Sequence, residues 1–179
     1  MRRVLVPFLA VFLTVPTVFA SSDPPVDVGR QAKGAKKVVV ATVTDVNSEF
    51  GENEYGDRLI FSNVTLQIDE TMKGPQEGSV VVTIEGGTVG EVTLTVSDMP
   101  RMTRGERAVL FLDESPRNGN GNGNGNGNGN GNGNGKGNVP HGRGRGVLKL
   151  DKENRVAGTS VSVEDIRAAV RNAQSEGGR

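Results

Sequence analysis

Leu59-Ile60-Phe61-Ser62-Asn63-Val64-Thr65-Leu66-Gln67-Ile68-Asp69 alternates along its whole length. Ile60, Ser62, Val64, Leu66 and Ile68 fall on one side, and Phe61, Asn63, Thr65, Gln67 and Asp69 on the other. A period of two marks a β-strand with one packed face and one wet face. The reading decides the fold because runs of the same kind flank this one.

Upstream, residues 38–46 carry β-branched side chains on both faces, which predicts a well-buried, central first strand. Downstream, 79–85 reads as a third strand with Val80, Val82 and Ile84 inward. Gly86-Gly87 predicts a tight reversal, since glycine accepts a positive φ without steric cost. A fourth strand follows over 89–97 with Val92, Leu94 and Val96 inward, and a fifth over 108–112. Polar segments at 48–58 and 72–78 read as turns, and 98–106 as a longer loop. A sixth short strand over 146–150 is expected to pair with the fifth. Short strands at this spacing suit a small barrel or sandwich. Ser162 then opens a helix, with Asp165 completing a capping box. Val163, Ile166, Val170 and Ala173 form its apolar stripe, expected to cover an open end of the barrel.

The flanking segments read differently. Arg2 and Arg3 precede an apolar stretch, and Val18 and Ala20 offer small residues, so residues 1–20 read as a signal peptide cleaved between Ala20 and Ser21. The stretch is too short for a bilayer core of about 30 Å and contains Pro7 and Pro16, so no stable membrane insertion is expected. Residues 21–36 read as a flexible lead-in with a helical turn around 28–35. Residues 118–135 are an unbroken Asn-Gly alternation. With no apolar side chain to bury, the insertion over 115–145 is expected to be disordered. Residues 146–179 then complete the domain begun at 37–114. Asn-Gly bonds deamidate readily, because glycine does not hinder attack by the next backbone nitrogen. Aged protein is therefore expected to acquire acidic charge variants on isoelectric focusing.

The 179-residue chain has no cysteine, so neither a disulfide nor a lipid anchor on cysteine is open to it. Its 21 basic residues balance its 21 acidic ones, and loss of Arg2 and Arg3 with the signal leaves a slight acidic excess. That balance gives no general attraction to nucleic acid or anionic membranes.

Few residues suggest chemistry. The single histidine, His141, lies in Val-Pro-His-Gly-Arg-Gly-Arg-Gly, and a general base needs a positioned partner that a Gly-rich linker does not promise. The run beginning Asp45-Val46-Asn47-Ser48-Glu49-Phe50 resembles a calcium loop but has Phe50 at the sixth position and Gly56 at the twelfth, so it reads as a solvated turn. Asn63-Val64-Thr65 matches a glycosylation acceptor, on the outer face of a strand. Arg101, Arg104 and Arg107 are the candidate partner-binding loop, to which Arg143 and Arg145 add; ordinary solvated charge is the other reading. No catalytic, metal or cofactor residue is assigned.

One resemblance can be placed on these residues. Val38-Val39-Val40-Ala41-Thr42-Val43-Thr44-Asp45-Val46, then Val64-Thr65-Leu66-Gln67-Ile68-Asp69-Glu70-Thr71-Met72-Lys73-Gly74, then residues 80–87, then Gly105-Glu106-Arg107-Ala108-Val109-Leu110-Phe111-Leu112 resemble a group of exported bacterial domains. Those domains are similar to the OB-fold of tissue inhibitors of metalloproteinases. The resemblance implies a small five- to six-stranded antiparallel OB-like barrel with a C-terminal helix and a long Asn-Gly loop. It does not carry over the zinc-chelating N-terminal cysteine of those inhibitors, which this chain lacks.

The function expected is therefore an exported, non-enzymatic, monomeric domain that binds a protein partner, a secreted protease among the possible classes, in the periplasm or outside the cell. The alternative is a structural or surface-associated protein with the Asn-Gly tract as its spacer.

Overall fold

A computed structural model describes residues 27–53, 55–115 and 137–176. The chain is mainly β. In order it forms α1 (Val28–Gly34), β1 (Lys37–Glu52), β2 (Arg58–Lys73), β3 (Ser79–Glu85), β4 (Gly87–Val89), β5 (Val92–Leu94), β6 (Arg107–Ser115) and β7 (Gly137–Pro140). A single 3-10 turn (Arg143–Gly146), β8 (Val147–Lys149) and α2 (Val163–Glu176) complete it.

Six strands join one sheet in the order β1-β2-β3-β7-β6-β8, and β1 also pairs with β6. β4 and β5 form a separate hairpin. The pairing is antiparallel except between β3 and β7, which meet in parallel at Val82 and Asn138. The sheet is thus mixed rather than wholly antiparallel.

β1 explains why its sequence is apolar on both sides. Val39, Ala41 and Val43 enter an inner core with Val64, Leu66, Val82, Leu110 and Leu112. Val38 and Val40 point the opposite way, into an outer core with Val109, Phe111, Leu148, Ile166 and Val170. Each fully buried Val or Leu contributes about 1.5–3 kcal/mol, so a strand that feeds two cores is the chief organiser of the fold.

The outer core belongs to the helices. Ser162 caps α2: its Oγ accepts from Asp165 N at 3.2 Å, and its own N–H donates to the Asp165 carboxylate at 2.9 Å. Val163, Ile166, Val170 and Ala173 are buried, as their spacing predicts. The stripe lands on the outer face of β1 and β6 rather than over an open end. The reason is that β1 and β6 already carry an apolar outer face, which needs cover. α1 lies beside α2. Asp27 accepts from Arg30 N at 3.0 Å at its start. Lys73 Nζ donates to the carbonyls of Ala32 at 2.8 Å and Ala35 at 2.6 Å at its end. That ammonium satisfies orphan carbonyls at the negative end of the helix.

Three expectations along the chain need correction. Val92 is not inward: it is 55 % exposed on the short β4–β5 hairpin. The hairpin turns at Gly90 (φ 58°), whereas Gly86 and Gly87, with φ of 109° and 143°, bend the chain between β3 and β4 without pairing those strands. Residues 137–145, assigned to the disordered insertion, form β7 and all but the last residue of the 3-10 turn. β7 pairs with β6 from Leu112↔Pro140 to Ser115↔Gly137. β8 pairs with β6 as expected, at Ala108, Val109 and Leu110. The signal segment with Ala20 and Ser21, and the Asn-Gly tract proper, lie outside the described residues.

The Ser115↔Gly137 pair brings the two ends of the tract together. Replacing residues 116–136 with a two-residue Asn-Gly turn is therefore expected to keep the fold and to stabilise it by about 2 kcal/mol, through the smaller loop-closure entropy. Urea unfolding of both chains checks this; loss of a cooperative transition in the shortened chain would refute it.

Candidate functional site

β1 and β2 run on together well past β6. β1 pairs with β6 only over Lys37–Thr42. The chain then shifts register between Val43 and Asp45, a bulge at Thr44, and continues with β2 alone to Glu52↔Arg58. A bulge bends its strand and increases local twist, so Thr44 is where the β1–β2 arm parts from β6; β3 stays on β2 as far as Phe61↔Glu85, and only the tip beyond Glu49↔Phe61 is two-stranded. Asn53 closes the tip: its Oδ1 accepts from Tyr55 N at 3.0 Å and Asp57 N at 2.8 Å. The segment expected as a polar turn over 48–58 is thus mostly strand. Its polar composition hid it, because an arm that packs against little has few apolar positions to reveal its period.

The β4–β5 hairpin seats on the arm. Ser62 Oγ donates to Gly86 O at 2.6 Å, and Ser48 Oγ, 2.8 Å away, donates to Ser62 Oγ in turn. A Cβ at Gly87 would stand 2.4 Å from Ser62 Oγ and 2.5 Å from Ser48 Oγ, so only glycine admits this approach. On the far side Thr88 and Thr93 share a hydroxyl hydrogen bond of 2.9 Å. Three large apolar side chains stay exposed on these two hairpins: Phe50, Tyr55 and Val92. The Arg58 guanidinium lies 4.7 Å from the centre of the Phe50 ring.

The three candidate arginines separate. Arg101 reaches Thr88 on β4 at 3.5 Å. Arg104 pairs with Asp45 at the base of the arm at 2.7 Å. Arg107 faces elsewhere, bonded to Asp69 at 3.2 Å and to Asn154. The loop that holds the first two is anchored by Met102, which is buried in the inner core. Arg143 joins from the Gly-rich segment: its Nε donates to Asp98 at 2.5 Å, and Nη2 reaches Glu85 at 3.3 Å. Asp98 is held below the usual aspartate range by that guanidinium.

Arg107 lines an open groove of about 460 Å³ with Asp69, Glu70, Asn154, Glu164 and Arg167. Arg167 forks onto Glu70 with two contacts of 2.7 Å and also meets Glu164. These contacts raise the Arg167 pKa, and its guanidinium holds the Glu70 carboxyl below the usual glutamate range. A carboxylate with a depressed folded pKa stabilises the fold above its unfolded pKa and loses that contribution as pH falls through the folded value. Glu70→Gln is therefore expected to flatten stability as pH falls from the ordinary glutamate range. The effect stays below about 1 kcal/mol, since the pair is partly exposed. Denaturation midpoints across that acid range test it.

His141 overturns its sequence reading. Its backbone N–H donates to Phe111 O at 2.8 Å, and its Nδ1 lies 2.7 Å from Asp113 Oδ2. A Cβ at Gly34 would stand 2.3 Å from its Nε2. The ring has a carboxylate partner, and its second nitrogen is turned onto Gly34 at the end of α1. His141 therefore clamps β6, β7 and α1 together.

The remaining motifs resolve into structure. Asp45, Asn47 and Glu49 lie on strand rather than in a loop. The Asn63 amide donates to Glu49 at 2.7 Å and accepts from Thr83 at 3.0 Å on the outer face of β2. Among the described residues, no group of His, Asp and Glu is arranged to hold a metal ion, and no helix is long and apolar enough to cross a membrane. The chain matches no protein-family model, and a search of curated proteins gives no match.

Proposed function

We propose that the chain is an exported, non-enzymatic OB-like domain that binds a protein partner at the end formed by the β1–β2 arm, the β4–β5 hairpin and the loop over 98–106. The barrel reading draws support from the pairing circuit. β1 meets both β2 and β6, and β3 meets β7 in parallel, so β1-β2-β3-β7-β6 returns to its starting strand. Export rests on the sequence of residues 1–20, and the kinship with metalloproteinase-inhibitor barrels rests on the strand motifs.

The observation that carries the binding reading is an asymmetry of cover. Two helices bury the outer face of β1 and β6, whereas the hairpin end keeps Phe50, Tyr55 and Val92 exposed. Aromatic and aliphatic side chains left in water on rigid hairpins are the usual anchors of a protein interface. The same end carries Arg101 and the Arg104–Asp45 pair, which suit an interface rim.

Photo-cross-linking residues placed at Tyr55 and Val92 test this in the native exported fraction, with Arg171 on α2 as the control position. A discrete adduct from the two hairpin positions and none from Arg171 is expected. Adducts from Arg171 alone, or equally from all three, would remove the assigned surface.

A further inference from the structure

We infer that the free edge of β1 over residues 46–52 is a strand-addition site that takes an extended, basic segment of the partner protein. This deepens the binding reading above and rests on it.

The edge follows from the register. Val43 N donates to Glu106 O, and Gly105 N to Val43 O, which are the last backbone bonds on that side of β1. Past the bulge, Asn53 N donates to Asp57 O across the arm. Counting back by twos, Gly51, Glu49 and Asn47 exchange their backbone bonds with β2. Val46, Ser48, Phe50 and Glu52 therefore turn their N–H and C=O groups away from it. The bond from Gly86 N to Ile60 O, which lies opposite Phe50, confirms this phase on the β2 side. Among the described residues no strand pairs with that outward row.

An unpaired row of this length is a template for another strand, and main-chain bonds are what recognise it. Natural edges are usually blunted by proline, an inserted bulge or lysine. Residues 45–52 contain no proline or lysine, their charged side chains are all acidic (Asp45, Glu49, Glu52), and the register is unbroken from Asp45 to Glu52. Phe50, 42 % exposed, offers an apolar contact beside the row. The charge selects the occupant. Glu49 and Glu52 are exposed, and neither has an ion-pair partner among the described residues. A segment bearing lysine or arginine meets them favourably. A second copy pairing antiparallel through the same edge brings these carboxylates towards their own counterparts, a like-charge arrangement that opposes association.

The test uses the mature chain and a nine-residue peptide of alternating valine and lysine, acetylated and amidated. Amide hydrogen exchange is followed by NMR. With peptide at about ten times its dissociation constant, exchange at Val46, Ser48 and Phe50 should slow about tenfold. Asn47, Glu49 and Gly51, already bonded to β2, should change little. Phe50→Ala should keep the protection at Val46 and Ser48. Phe50→Pro, which deletes an outward N–H at an edge position where proline is tolerated, should abolish it. The alternating pattern in the unmutated chain decides the matter even if the proline variant misfolds. No protection at millimolar peptide overturns strand addition and leaves partner binding to the cross-linking result. Protection that rises with protein concentration alone overturns it in favour of a second copy.

Discussion

Phe111→Ala is expected to lower the stability of the protein by about 3–5 kcal/mol, the range for removing a buried aromatic ring from a core. Phe111 is completely buried and is the bulkiest of the fully buried side chains among the described residues. It stands in the outer core among Val38, Val109, Leu148, Ile166 and Val170. Those neighbours come from three strands and from α2, and each is pinned by its own backbone pairing, so the site collapses poorly around a lost ring. Domain stabilities are typically about 5–15 kcal/mol, and no disulfide limits the unfolded chain here. Urea unfolding followed by far-UV circular dichroism checks the value. A cost below about 1 kcal/mol would mean that the outer core is dispensable, contrary to the deep burial on that face. The helices should show the loss first in hydrogen exchange, because their attachment runs through this cluster.

The two-core arrangement also explains which elements were legible in the sequence. A helix with a hydroxyl cap, an acidic partner three residues on and an apolar stripe is written locally, so α2 and its four buried residues could be read from Ser162 onward. β1 could be read as central because its valines run on both faces. What α2 packs on could not be read. The choice between a barrel end and a sheet face depends on which strands keep an apolar outer side, and that depends on the pairing of β1 with β6, well apart in sequence. β7 was hidden for a related reason. Gly-Asn-Val-Pro has little strand propensity and a proline, and it is held as a strand only because β6 and β3 lie on either side of it.

The candidate site was legible in outline and not in partnership. The loop over 98–106 meets β1 through Arg104 and Asp45 and the β4–β5 hairpin through Arg101 and Thr88, partners that lie well apart in sequence. The reading of three arginines as one patch did not allow for β6, which carries Arg107 to the outer face beside α2 while Arg101 and Arg104 stay with the loop. His141 was misjudged because its carboxylate lies on the neighbouring strand, and only the β6–β7 register brings Asp113 to it. Glycine-rich sequence was taken as freedom. Here the glycines mark places where one backbone touches another.

Gly144→Ala puts that last point to a measurement with a large effect. An added Cβ would stand 1.9 Å from Asp98 O and 3.1 Å from Pro100 Cδ. The obstacle is backbone rather than the end of a flexible side chain, so relief requires the two loops to part. Overpacking of this kind costs about 1–3 kcal/mol, and a contact this short belongs at the upper end. Beside it, Arg143 sits at φ 62°, a left-handed conformation unfavourable for a side chain with a Cβ, held by its contacts to Asp98 and Glu85. Parting the loops breaks that fork and releases Arg143 from its strain, so the loop over 98–106 should lose order along with stability. The expected result is a drop of about 2–3 kcal/mol in urea unfolding together with faster amide exchange at Met99, Thr103 and Gly105, whose N–H groups are hydrogen-bonded. Exchange at Ile166 and Val170 in α2 should follow only the global change. A stability loss that leaves the 98–106 loop as protected as before would mean that Gly144 supports the sheet rather than the proposed binding end. If the loop loosens as expected, cross-linking from Val92 should weaken more than cross-linking from Tyr55, because Arg101 ties the β4–β5 hairpin to the loop through Thr88, whereas Asn53 closes the arm's tip on its own.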